Sequence, residues 1–162
     1  MSHAPSREIR LPSEAATTKF GASLARLLTA GDTVLLSGSI GAGKTHLARA
    51  IIKSRLAAIG RDEDVPSPTF TLTQTYDDGL CEIWHADLYR LTNADEIIEL
   101  GIEDAFETSI VLIEWPDRLG DNVPADALHI NLSSPGEGRT AKIAWTSPRW
   151  GDVLSEITQD AA

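Results

Sequence analysis

A single cysteine, Cys81, stands in a chain of 162 residues. One thiol excludes an internal disulfide framework and any multi-cysteine zinc site, and it predicts a reducing, cytoplasmic setting. Long apolar runs are missing too: none approaches the roughly 18–20 residues that span a membrane. Met1 to Arg10 lack the apolar core of a secretory signal, so none is expected. Basic residues are scarce, with 14 Lys and Arg against 24 Asp and Glu and a net charge of −10. Nucleic-acid affinity comes from cations that neutralise phosphates, so such a chain would reach tRNA or DNA only through a partner. The bland alternative is that the acidity merely keeps the protein soluble. Repeats, low-complexity tracts and internal linkers are absent, and residues 1–162 read as one domain.

Short apolar segments alternate with amphipathic ones. Glu8 to Leu11 suggests a first strand. Pro12 and Ser13 look like a helix entry, with Phe20, Leu24, Leu27 and Leu28 on one stripe and Gly31 as the stop. Thr33 to Ser37 reads as a strand, Gly38 to Thr45 as a glycine-rich turn, and Lys44 to Ala58 as a helix ended by Gly60. Thr71 to Tyr76 and Cys81 to Ala86 form a predicted hairpin around Asp77-Asp78-Gly79. Asn93 is expected to cap a helix to Leu100. Ile110 to Ile113 signals a buried strand, Leu128 to Leu132 and Ala141 to Trp145 two more around Ser134-Pro135-Gly136, and Pro148 to Ile157 a closing helix. Strands interleaved with helices predict an α/β domain with a largely parallel sheet flanked by helices; the hairpin makes it mixed.

Gly38-Ser39-Ile40-Gly41-Ala42-Gly43-Lys44-Thr45 matches the phosphate-binding loop pattern at every fixed position. Gly41 and Gly43 let successive backbone N–H groups face a phosphate. The following helix adds its N-terminal dipole. Lys44 brings a point charge to the β- and γ-phosphates, and the Thr45 hydroxyl suits magnesium. The Asn-Lys-x-Asp pattern that reads guanine is absent, which tilts the nucleotide towards ATP.

Carboxylates at strand ends supply the remaining chemistry. Glu114 follows an uncharged run where an open α/β sheet places its crevice; it either holds magnesium or simply begins a loop. Asp87, after the Glu82 to Ala86 strand, would orient or deprotonate a water, act as an outer magnesium ligand, or pair with Arg90. His85 reads as a structural residue. Ser67-Pro68-Thr69 fits either a switch segment that reaches the γ-phosphate or ordinary turn chemistry. For Trp115, core filling competes with a place beside the nucleotide.

With these motifs named, the chain resembles the TsaE family, the small ATPases of bacterial threonylcarbamoyladenosine synthesis. The resemblance runs through Gly41-Ala42-Gly43-Lys44-Thr45, Ser67-Pro68-Thr69-Phe70 with Thr71-Leu72, and His85-Ala86-Asp87-Leu88-Tyr89-Arg90-Leu91. It continues through Gly101-Ile102-Glu103-Asp104, Ile113-Glu114-Trp115-Pro116 and Gly138-Arg139-Thr140-Ala141, spanning residues 11–146. It implies a P-loop NTPase-like fold that binds ATP and Mg2+. Thr45 and Glu114 would take the metal, and Lys44, Asp87 and Thr69 the catalytic roles. Ser39, Ile40, Gly41, Ala42, Gly43, Lys44, Thr45 and His46 would hold the nucleotide, with Trp115 and Arg139 as further candidates. It also implies TsaD and TsaB as partners, tRNA only indirectly through them, and no membrane. Two departures stand out. Many relatives carry Asp at Ser39, which shapes the loop and its charge, and a second Thr at His46, a position that could touch the α-phosphate.

Two other readings compete with a partner-activated ATPase. A stand-alone small-molecule kinase would need a second pocket and a basic lid insertion, and no such insertion is visible. A nucleotide-dependent binding module with negligible turnover would not need both Asp87 and Glu114.

Overall fold

Ser13 begins the first helix as expected: its backbone is still extended, just outside the helix, and its side chain accepts the Ala16 N–H. The computed structural model describes residues 5–68, 71–91, 93, 95–134 and 138–157. The elements in chain order begin β1 (Ser6–Leu11), α1 (Glu14–Leu27), β2 (Thr33–Gly38), α2 (Lys44–Ala57), β3 (Thr73–Asp77) and β4 (Glu82–Asp87). Then follow α3 (Asp95–Leu100), α4 (Ile102–Thr108), β5 (Ile110–Glu114), a 3₁₀ helix over Pro116–Asn122, β6 (Leu128–Ser133), β7 (Arg139–Ala144) and α5 (Pro148–Ser155). None of the described helices is long and apolar enough to cross a membrane.

The sheet is mixed, with the strand order β1-β7-β6-β2-β5-β4-β3. Its centre, β6-β2-β5-β4, is parallel, while β3 pairs antiparallel with β4, and β7 with β6 and β1. Strands β2 and β5 are covered on both faces, so they read as continuous apolar runs, whereas β6 alternates buried Leu128, Ile130 and Leu132 with exposed His129 and Asn131. Val34, Leu36, Ile110 and Leu112 face one core with α1, α2 and α5. Leu35, Val111 and Ile113 face a second core with α4 and the 3₁₀ helix.

Helices α1 and α2 pack closely because Gly21 has no Cβ; an added one would lie 2.7 Å from the Ala50 Cβ. Arg55 ties this layer to the hairpin. Its guanidinium pairs with Asp78 and donates to the carbonyls of Ala25 (2.6 Å) and Leu28 (2.9 Å). Asp78 in turn accepts the backbone N–H groups of Leu80 and Cys81, both at 2.9 Å.

Several boundaries differ from expectation. Helix α1 stops at Leu27 rather than at Gly31, because Arg55 and Arg149 satisfy its last carbonyls. Gly31, at φ +95°, serves the turn into β2 instead. Strand β3 begins at Thr73, since Leu72 has φ +67° and cannot continue an extended run. Asn93 precedes α3 and accepts the Asp95 N–H at 2.8 Å. The helices at Ile102–Thr108 and Pro116–Asn122 were not anticipated: Gly101 and Trp115, both left-handed, set them off. Part of the expected Ser134-Pro135-Gly136 turn lies outside the described residues.

Candidate functional site

The loop between β2 and α2 turns on glycines. Gly38 has φ +136°, and a Cβ there would collide with the Leu132 carbonyl oxygen. Gly43, at φ +104°, occupies the position just before α2, where no side chain caps the helix. The free N–H groups of that helix start are the donors an anion would take. Lys44 reaches back over the loop, its Nζ donating to the carbonyls of Gly38 (2.7 Å) and Ser39 (2.8 Å). The same ammonium lies 4.2 Å from the centre of the Trp115 ring. Burial lowers its pKa from the ordinary lysine value, opposed by the nearby Glu114 and Asp87 carboxylates.

Parallel pairing sets the carboxylates side by side. Leu36 of β2 and Asp87 of β4 both stand opposite Glu114 of β5. Glu114 is buried and spans two partners: Oε1 accepts from Thr45 Oγ1 at 2.7 Å, and Oε2 lies 2.7 Å from His85 Nε2. The imidazole of His85 is fully buried, and its Nδ1 has no hydrogen-bond partner among the described residues. Donation from Nε2–H therefore holds the Glu114 carboxylate in place. Asp87 accepts the Tyr89 N–H through Oδ1 at 3.1 Å. Burial pushes its pKa up; the Tyr89 bond opposes this, and the Glu114 charge adds to it.

These groups line one open cleft of about 400 Å³, together with Ile40, Gly41, His46, Tyr89, Arg90 and Trp115. Trp115 is half-buried: it packs on the second core and also walls the cleft. Its left-handed backbone (φ 59°) turns the ring over Lys44, and Tyr89 packs beside it at 4.8 Å between centroids. Arg139 reaches the loop from β7, donating to the Gly41 carbonyl at 3.2 Å and to Ser134 Oγ at 3.1 Å. His46 lies at the cleft edge with Nε2 2.9 Å from Thr18 Oγ1. Ser67 also lines the cleft, whereas Thr69 lies outside the described residues.

The donor set fits a triphosphate with magnesium. An added Cβ at Gly41 would meet nothing within 4 Å, so the loop opens outward. A hydroxyl and a carboxylate oxygen 2.7 Å apart, Thr45 and Glu114, are hard oxygen donors. Among the described residues no group of three or more His, Cys, Asp or Glu could hold a metal unaided. Magnesium shared with phosphates needs only one or two protein ligands. His85 is the residue that sequence reasoning passed over. The available signal was its spacing, since residues two apart on a strand share a face, which puts His85 and Asp87 on one side of β4.

The family described as threonylcarbamoyl adenosine biosynthesis protein TsaE matches residues 11–142 of the chain. A Rickettsia felis protein named tRNA threonylcarbamoyladenosine biosynthesis protein TsaE is 40% identical over 129 residues, covering 80% of this chain and 74% of its own. A Haemophilus influenzae protein of the same name is 34% identical over 154 residues, covering 91% and 95%. The crystal structure of Bacillus subtilus YdiB superposes over the full length of both chains with a TM-score of 0.78 at 22% identity, a likeness of fold.

Proposed function

We propose, from the premise that this chain belongs to the TsaE family, that it acts in tRNA threonylcarbamoyladenosine biosynthesis as a magnesium-dependent ATPase. In this reading it supports the TsaB and TsaD proteins as they modify the adenosine beside the anticodon. The observation that carries the ATPase reading is the bond between Thr45 and Glu114 at the mouth of the glycine loop, with Asp87 on the next strand.

Each residue then has a defined task. The loop N–H groups and Lys44 bind and orient the phosphates. Thr45 and Glu114 would hold magnesium, which supplies charge neutralisation on the phosphate oxygens when bound. Asp87 takes the proton of the attacking water; its raised pKa makes it a stronger base than a surface carboxylate. Trp115 and Tyr89 shield the Lys44 end of the cleft from water.

Transition-state charge in phosphoryl transfer often requires a further cation, worth about 10³–10⁵ in rate when supplied in trans. Arg139 is occupied by the Gly41 carbonyl and Ser134, which favours slow turnover until a partner rearranges or completes the site. With a net charge of −10, the chain is expected to reach tRNA only through that partner. Turnover at saturating ATP, alone and with TsaB and TsaD, tests the proposal alongside a tRNA gel shift near physiological salt. Stimulation by the pair and no tight tRNA binding alone are expected. Full activity alone, or a phosphorylated small-molecule product, would overturn it.

A further inference from the structure

A second concavity lies outside the nucleotide cleft. The α1 and α2 helices enclose an open groove of about 540 Å³ with an apolar floor at Ala22 and Ala50. On α2, His46, Arg49, Ala50 and Lys53 recur at helical spacing, and Thr18 and Ala22 of α1 form the other wall. No lining residue is acidic. This departs sharply from the whole chain. Helix α2 contains no carboxylate at all, and of its four cations Arg49 and Lys53 line the groove, while Lys44 lies in the nucleotide cleft and Arg55 pairs with Asp78. Arg49 and Lys53 are exposed.

We infer that the groove between α1 and α2 is a docking surface for an acidic segment of a partner protein, with small apolar side chains seated on Ala22 and Ala50. Charge selects this occupant. The groove carries Arg49, Lys53 and His46 and no carboxylate on a chain of net charge −10, so an acidic segment is attracted here. A nucleic-acid backbone is disfavoured because tight binding needs many phosphate contacts, and this groove presents two exposed cations and one histidine above an apolar floor. A stripe of alanine between cations suits a helix or extended peptide whose acidic residues flank a small apolar one. Through His46, which borders both the groove and the nucleotide cleft, the seated segment would end beside Thr45.

The test uses the full chain labelled with ¹⁵N at physiological salt. The probe is a synthetic peptide of alternating glutamate and alanine residues. The expected result is a set of amide shifts at Ala22, His46, Ala50 and Ser54 that Arg49→Glu/Lys53→Glu abolishes and that Lys142→Glu, an exposed position on β7, leaves intact. Shifts confined to other residues, no shifts at all, or stronger shifts of the same amides with a tRNA fragment would overturn the inference. A second arm titrates the purified TsaB–TsaD pair and rests on the proposed function. The double charge reversal should weaken that complex about tenfold or more while ATP affinity stays unchanged. Undiminished binding of the pair by the double variant counts against the groove. A wild-type chain that ignores the pair yet seats the peptide counts against the partner assignment and for the groove.

Discussion

Glu114 and Thr45, 69 positions apart in the chain, meet through a 2.7 Å hydrogen bond at the junction of β5 and α2. Strand pairing brings Glu114 beside Leu36 of the loop-bearing strand, and His85 holds its second oxygen. Glu114→Gln keeps the shape but removes the charge. ATP binding should then lose most of its magnesium dependence, read by titration calorimetry with and without the metal. His85→Ala should produce a milder version of the same loss. Equal magnesium dependence in wild type and Glu114→Gln would remove Glu114 from the metal site.

Lys44 holds two loop carbonyls and the Trp115 ring. Lys44→Ala should leave the circular dichroism spectrum unchanged and weaken ATP binding. A lost charged contact of about 1.5–3 kcal/mol corresponds to about 10- to 150-fold in affinity. A folded variant with undiminished affinity would falsify the phosphate-loop assignment.

Asp87 carries two opposite pH signatures. Its pKa is raised in the folded state by burial, so the protonated form is favoured by folding. Its contribution to stability is therefore full below the unfolded value of about 3.9 and is lost as pH rises through the folded value. Asp87→Asn should be at least as stable as wild type near neutral pH, bind magnesium-ATP nearly normally, and hydrolyse it poorly. Hydrolysis by the wild type should fall with decreasing pH through a carboxyl pKa above the usual aspartate range. Normal turnover by Asp87→Asn removes the base role.

Asp78 shows the reverse. Burial alone would push its pKa up, but the N–H groups of Cys81 and Leu80 and the Arg55 guanidinium hold it below the ordinary value. Its stabilisation is present above the unfolded pKa of about 3.9 and is lost as pH falls through the folded one. Breaking this buried pair with Arg55→Ala should cost about 3 kcal/mol, or roughly 6–12 °C in Tm. The gap to wild type should narrow below about pH 4. A loss that persists unchanged at low pH would show that the carbonyl contacts of Arg55 dominate.

Trp115 packs on Lys44 at the cleft wall. ATP should therefore change the tryptophan emission of the wild type, and Trp115→Phe should abolish that change while the other three tryptophans remain. An undiminished change in Trp115→Phe would place the reporter elsewhere.

The primary structure by itself determined the glycine-rich loop between β2 and α2, the strand on either side of the hairpin turn, and the buried run ending in Glu114. These signals are local: glycines at fixed offsets, a turn dipeptide, and uninterrupted apolar residues. It also marked Asp87 and Glu114 as carboxylates at strand ends. Tertiary structure alone decided that these two are neighbours, because that follows from β5 lying between β2 and β4, an order set by which apolar faces bury one another. The same holds for His85, whose role depends on an oxygen 29 positions away. It holds for the end of α1, closed by arginines from α2 and α5 in place of its own glycine. The basic groove, too, exists only because Gly21 lets α1 approach α2 closely enough for Arg49 and Lys53 to share a wall with Thr18 and Ala22. Residue spacing reports periodicity along one element, whereas a site made by several elements is defined by distances across the core, which no single stretch of chain encodes.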